Sequence, residues 1–234
     1  MEFPGIQQQV LWLLAENRFH NSKNFYEEHK PQFAKELIEP MHALFRDVLP
    51  EALQVDGELC QSPQKCLSRI RRDTRYTLDK SLYREQMWFI IRRPKNGYDP
   101  YPFYWFECGL QGYKYGCGIW GATPATMAAW RGEIDNSPAA FLKSVKPVLQ
   151  GGYELDCERY KRPKKEGLPA KLDRWYQLKE VYASSPWLPV DGLQNPAAVI
   201  KQLAGCIRDL APFYRLLDKV VHKELRDKAV PKAE

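Results

Sequence analysis

Arg69, Arg71, Arg72, Arg75 and Lys80 fall within one short stretch, RIRRDTRYTLDKSLY, spanning residues 69–83. Thr74, Tyr76, Thr77, Tyr83 and the carboxylates Asp73 and Asp79 are interleaved with them. A guanidinium carries a planar fork of N–H donors that matches a carboxylate or a phosphate through two bonds at once. As a strand, the stretch puts Arg69, Arg71, Asp73 and Arg75 on one face and Ile70, Arg72, Thr74 and Tyr76 on the other. As a helical turn, it aligns Arg69, Arg72 and Asp73. In both cases at least two guanidiniums stand close enough to grip one anion. Asp73 is placed to orient Arg72 or Arg75, and Lys80 and Tyr83 add donors. The stretch leads directly into Trp88-Phe89-Ile90-Ile91, so it is expected to be ordered.

Those cations need anions, either the chain's own carboxylates or a ligand. From Arg69 to Glu85 six cations face only Asp73, Asp79 and Glu85. The surplus tilts the reading toward a ligand, although carboxylates from elsewhere in the chain could cover it. A second basic segment, RYKRPKK at residues 159–165, offers Lys161 and Arg162 to the rim of the same pocket. Lys164 and Lys165 read instead as a solvated loop. Glu107 sits between Phe106 and Cys108 in an aromatic run. There it is a candidate general acid or base with a raised pKa, or the counter-ion of a buried arginine. Asp73 is the other candidate for moving a proton. Gly116 and Gly118 flank Cys117, and glycine inside a strand marks either a close backbone approach or a crowded sheet. Cys117 has no histidine near it in sequence to act as a base, which argues against a nucleophile.

The chain has 234 residues, 44% hydrophobic and 13% aromatic, enough for a packed core. Its formal charge of +6 permits an anionic partner without demanding one. No apolar run is long enough to span a bilayer, and Met1-Glu2-Phe3-Pro4 does not open like a signal peptide. The six cysteines are scattered and form no C-x-x-C pair. They are expected to stay reduced in a cytoplasmic protein. The four histidines lack metal-ligand spacing, so no metal or cofactor is expected. The oligomeric state is left open by the sequence. Strand aromatics beside cations also fit a nucleic-acid platform. The absence of any RNP-like, helix-turn-helix or finger pattern makes that the weaker partner reading, behind an anionic small molecule.

Hydrophobic spacing predicts a helix over residues 4–16 and a longer one from Asn21 or Ser22 through Val48. Pro31 and Pro40 should split or kink the longer helix, and Lys30 before Pro31 should lean away from helical geometry. Residues 86–92, 102–109 and 113–120 read as antiparallel strands, with Asp99-Pro100 and Gly109 to Gly112 between them. Aromatics on both faces imply cover on both sides. Pro124 and Pro138 open two helices. Tyr153 to Cys157 reads as a short strand, residues 161–171 as a loop, and Leu172 to Leu178 as a helix. Glu180 to Ala183 is extended, and one long helix follows Asn195-Pro196. The expected fold class is therefore α+β, a mostly antiparallel sheet flanked by helices. A single domain would cover residues 1–222, with a charged tail over 223–234.

The pattern Arg69, Arg72, Asp73, Arg75, Tyr76, Asp79, Lys80, Tyr83 resembles the signature of a bacterial family of conserved hypothetical proteins, domain of unknown function 2461. The likeness runs nearly end to end. Asn21, Phe25 and Lys30 resemble the family's early helix opening, and Gly116 to Trp120 its glycine-rich strand. Leu155 with Lys161, Arg162 and Pro163, and then Leu178-Lys179, match later elements. Tyr76 replaces the usual phenylalanine, and Cys117 replaces a glycine. The resemblance implies that the Arg-Asp-Arg-Lys-Tyr constellation is part of the family's pattern. It implies no particular reaction.

Overall fold

The computed structural model describes residues 2–94 and 101–229, with side chains described as far as His222. The Asp99-Pro100 turn signal lies outside the described residues. The fold is α+β. Strands β1 (Gln86–Ile91), β2 (Phe103–Gly109), β3 (Gly112–Ile119) and β4 (Val181–Ser184) form one sheet in the order β1-β2-β3-β4. The sheet is antiparallel and flanked by helices, and Gly116 pairs with Ser184 and Ile119 with Val181. A Cβ on Gly118 would stand 2.3 Å from the Tyr182 Cβ, and one on Gly116 2.2 Å from the Ala183 carbonyl oxygen. The two glycines are there because β4 presses on β3 in a crowded sheet.

The chain groups into two compact units. The first comprises Met1–Ile91, Trp105–Tyr115 and Pro186–Cys206. Its helices include α1 (Gln8–His20), α2 (Lys23–Phe33), α3 (Glu39–Val55) and the short α4 (Pro63–Cys66). The expected helix at 4–16 begins later, at Gln8, because residues 4–7 are not helical. Gly5 there adopts φ +86° and the Ile6 N–H bonds the Leu193 carbonyl. Between α2 and α3 the helix does not stop. A π-helical turn, Ala34–Ile38, joins them, and Lys30 is helical despite Pro31. The wider turn lies just before Pro40 and accommodates the hydrogen bond that Pro40 cannot donate, while Pro31 sits inside α2. The buried stripe Phe33, Leu37, Met41, Leu44, Phe45 and Val48 holds the run together. Phe45 meets Phe89 edge to face at 5.5 Å, and Phe89 stacks on Phe106 at 5.4 Å.

The second unit comprises Arg92–Tyr104, Gly116–Ser185 and Ile207–Glu234. It carries α5 (Pro124–Asn136), α6 (Pro138–Gln150) and α7 (Ala170–Tyr176). Its core is aromatic: Trp130 meets Phe141 at 4.9 Å, Trp175 at 6.1 Å and Phe213 at 6.4 Å. The expected strand at 153–157 is reduced to a single bridge, Glu154 with Ser184. The one long C-terminal helix is two, α8 (Pro196–Asp209) and α9 (Ala211–Ala229). Pro212 explains the break, since it cannot donate to the Arg208 carbonyl and its ring crowds the preceding turn. Helix α9 continues past Lys223, where the sequence placed the start of a tail.

β2 alternates. Tyr104, Phe106 and Cys108 are buried, whereas Phe103, Trp105 and Glu107 are half-buried. Only one face of that strand is fully covered, against the expectation for both.

Candidate functional site

Residues 67–89 form two antiparallel arms. Leu67 bridges Phe89 and Arg71 bridges Tyr83. The Ser68 N–H donates to the Trp88 carbonyl at 2.8 Å, Arg72 N–H to Leu82, and Arg84 N–H to Ile70. The strand reading of the motif therefore holds for its first arm. Ile70 is buried and Arg72 turned inward, while Arg69, Arg71 and Asp73 are exposed. Period-two geometry turns Arg72 inward and Arg69 and Arg71 outward, and Arg75 lies exposed in the turn beyond them.

Arg72 and Arg75 are both paired. Arg72 and Arg18 both donate to the Asp79 carboxylate, Arg18 at 2.9 Å. Arg18 also reaches the Tyr83 carbonyl at 3.2 Å and Glu85 at 3.5 Å. The Ser81 hydroxyl and N–H donate to the other Asp79 oxygen, at 2.6 and 2.9 Å. These bonds, led by the Ser81 hydroxyl, hold the Asp79 carboxyl well below the usual carboxylate range. Asp73 is fork-gripped by Arg75, whose Nη2 stands 2.7 Å from Oδ2. Arg75's side-chain and backbone donors bring the Asp73 pKa down to about 2. Lys80 caps the Thr74 carbonyl at 2.9 Å. Arg84 lies over the Trp88 ring at 4.4 Å and donates to the Arg69 carbonyl.

The outward set is Arg69 and Arg71, which form no ion pair among the described residues. Beyond them the tip of the arms projects Tyr76 and Leu78, 89% and 102% exposed. Tyr83 lies in the core, 2% exposed and stacked on Tyr26 at 5.1 Å, and burial pushes its phenol up.

Two ties to this loop could not be read from local spacing. Arg18 comes from the last turn of α1, sixty-one residues away from Asp79. Asn21 caps α1 at φ +48°, a left-handed conformation that asparagine tolerates. Its side-chain oxygen accepts the Leu82 N–H at 2.6 Å instead of capping α2. An asparagine at a helix end was the only sequence signal for either tie.

Glu107 has no arginine partner among the described residues. It is half-buried on β2 near Lys114 of β3, and burial raises its pKa against the pull of Lys114. Lys114 in turn lies 6.0 Å from the Trp187 ring centre. Lys161 and Arg162 belong to the second unit, are exposed and form no ion pair among the described residues. An open depression of about 340 Å³ in that unit is lined by Leu155, Cys157, Arg159, Ala170, Arg174 and Leu178, and not by those two. The Arg159 fork there is occupied by the Arg174 carbonyl at 3.0 Å and Asp173 at 3.3 Å. Burial drives the Cys157 thiol up to about 12, which makes it a poor nucleophile. Cys117 is fully buried in β3. No cluster of three or more His, Cys, Asp or Glu that would hold a metal occurs among the described residues. No described helix is long and apolar enough to cross a membrane.

The fold and the arms thus define an α+β protein that displays an arginine-rich hairpin braced by its own carboxylates. Residues 9–216 match the model of the family described as conserved hypothetical protein, domain of unknown function 2461, and the chain belongs to that family. No curated protein and no solved structure matches the chain.

Proposed function

We propose that this protein is a binding module that holds a phosphate-bearing partner on the outward face of the residue 67–89 arms. The observation that carries this reading is the sorting of the arginines. Arg72 and Arg75 have their forks filled by Asp79 and Asp73, while Arg69 and Arg71 stand exposed without an ion pair among the described residues. The paired set shapes the loop and the free set offers the charge. Because the arms are open to solvent, an extended anionic surface or chain suits them better than an enclosed small molecule. Six cysteines free of disulfides fit a reducing compartment, and we place the protein in the cytoplasm.

Inorganic polyphosphate is the simplest probe, since it carries phosphate without base, sugar or lipid. Charge reversal by R69E/R71E should weaken polyphosphate binding at least tenfold in a titration, with an unchanged far-ultraviolet circular dichroism spectrum. Equal affinity in that folded variant would end the reading. A second reading, proton transfer to a small acidic substrate, rests on the raised pKa of Glu107. It predicts that an activity found for this protein would be lost in Glu107→Gln and retained in R69E/R71E.

A further inference from the structure

The exposed tip of the arms carries more than charge. Leu78 is 102% exposed, Tyr76 89% and, on the α1 end tied to this loop by Arg18 and Asn21, Phe19 87%. Trp12 lies two helical turns before Phe19 on α1 and is 56% exposed. Large apolar side chains grouped together in water mark an interaction surface, whereas ones scattered singly do not. Tyr76 and Leu78 sit together at the exposed tip with Arg75 and Lys80, Arg69 and Arg71 lie on the arm that leads to it, and Phe19 and Trp12 lie on α1. The carboxylates of the turn are already taken, Asp73 by Arg75 and Asp79 by Arg18 and Arg72. What the turn presents outward is therefore apolar tips with a cationic flank.

Resting on the phosphate-binding reading above, we propose that the phosphate-bearing partner is the headgroup layer of an anionic lipid surface. Leu78, Tyr76 and Phe19 enter the acyl boundary while Arg69, Arg71 and Lys80 stay at headgroup level. A convex apolar tip needs no complementary cavity to enter a soft interface, whereas a folded protein partner would have to supply one. Aromatic and leucine side chains on one side with cations on the other are the composition of surface-lying membrane contacts. Each cation at an anionic surface adds roughly a fivefold gain in partition. A leucine carried from water to hydrocarbon adds about tenfold or more. Free phosphate would use the cations alone and leave the apolar tips in water, so the tips separate the two sources.

The full chain is sedimented with vesicles of phosphatidylglycerol and phosphatidylcholine, with vesicles of phosphatidylcholine alone, and titrated with polyphosphate. The expected result is binding to the anionic vesicles and little to the neutral ones. Y76S/L78S should lose about tenfold or more on vesicles and nothing on polyphosphate, whereas R69E/R71E should lose on both. All four positions are exposed, so these variants should retain the native circular dichroism spectrum. If polyphosphate binds and anionic vesicles do not, or if Y76S/L78S binds vesicles as well as the native chain, the lipid assignment fails and the phosphate reading stands. If a single-stranded oligonucleotide displaces the vesicles and is itself weakened by Y76S/L78S, the partner is nucleic acid and the lipid assignment again fails. If neither polyphosphate nor vesicles bind, both fail together.

Discussion

Asp79 illustrates how one carboxylate decides what five cations are for. It accepts from Arg18, Arg72 and both donors of Ser81, and so ties α1 and the first arm to the loop. Its pKa is held far below the ordinary value and that of Asp73 near 2. A carboxyl whose folded pKa is depressed stabilises the folded form above its unfolded pKa, about 4, and loses that contribution as pH falls through the folded value. The Asp79 contribution should accordingly be complete at neutral pH, start to weaken as pH falls below about 4, and be weaker still at pH 2, where Asp73 also titrates. Amide exchange at Arg72, Ser81 and Leu82, corrected for the intrinsic pH dependence, reads this directly. Asp79→Asn, which keeps the shape and removes the charge, should speed exchange of these amides several-fold at neutral pH while the core amides of Phe89 and Phe106 stay unchanged. Unchanged protection at the three amides in the variant would show that the carboxylate does not hold the loop. The spacing of the motif made its pairing alternatives legible, and period two chose between them. Arg18 was not legible, because a contact across sixty-one residues leaves no mark in local spacing.

At the scale of elements, the reliable signals were those with a local cause. Thr123-Pro124 announces α5, and the structure gives it a full capping box. The Thr123 hydroxyl accepts the Thr126 N–H at 3.0 Å, and the Thr126 hydroxyl accepts the Thr123 N–H at 3.1 Å. Thr123→Ala should cost about 1 kcal/mol in a urea melt, as helix N-caps generally do. A cost below a few tenths would mean the helix start is held by packing alone. The three aromatic strands were legible for the same kind of reason, since alternation and turn residues are local. Prolines were harder. Pro31 and Pro40 did not interrupt the helix, because a π turn and a fully buried stripe outweigh the missing donors, yet Pro212 did separate α8 from α9. Whether a proline breaks a helix depends on what the neighbouring turn buries, and that is a tertiary fact. The Glu154–Ser184 bridge shows the same limit, where an expected strand kept a single pair.

Over the whole molecule, the formal charge of +6 offers a rival account of any anion binding. A diffuse positive field attracts polyanions whatever face they meet, but at physiological ionic strength it is screened within about 8 Å. Contact cations and field can be separated at constant net charge. R69E/R71E and K161E/R162E each replace two cations by two anions, so each takes the chain from +6 to about +2. Both pairs are exposed and neither is ion-paired among the described residues, but the first pair lies on the arms and the second in the other compact unit. If net charge governs, the two variants lose affinity for polyphosphate equally at every salt concentration. If the arms are the contact surface, R69E/R71E loses at least tenfold, whereas K161E/R162E loses much less and converges on the native chain as salt rises. A larger loss in K161E/R162E would move the site to the loop after Cys157, whose two cations the sequence also put forward. Composition alone could not choose between these outcomes, because it counts charges and is blind to which of them already have a partner.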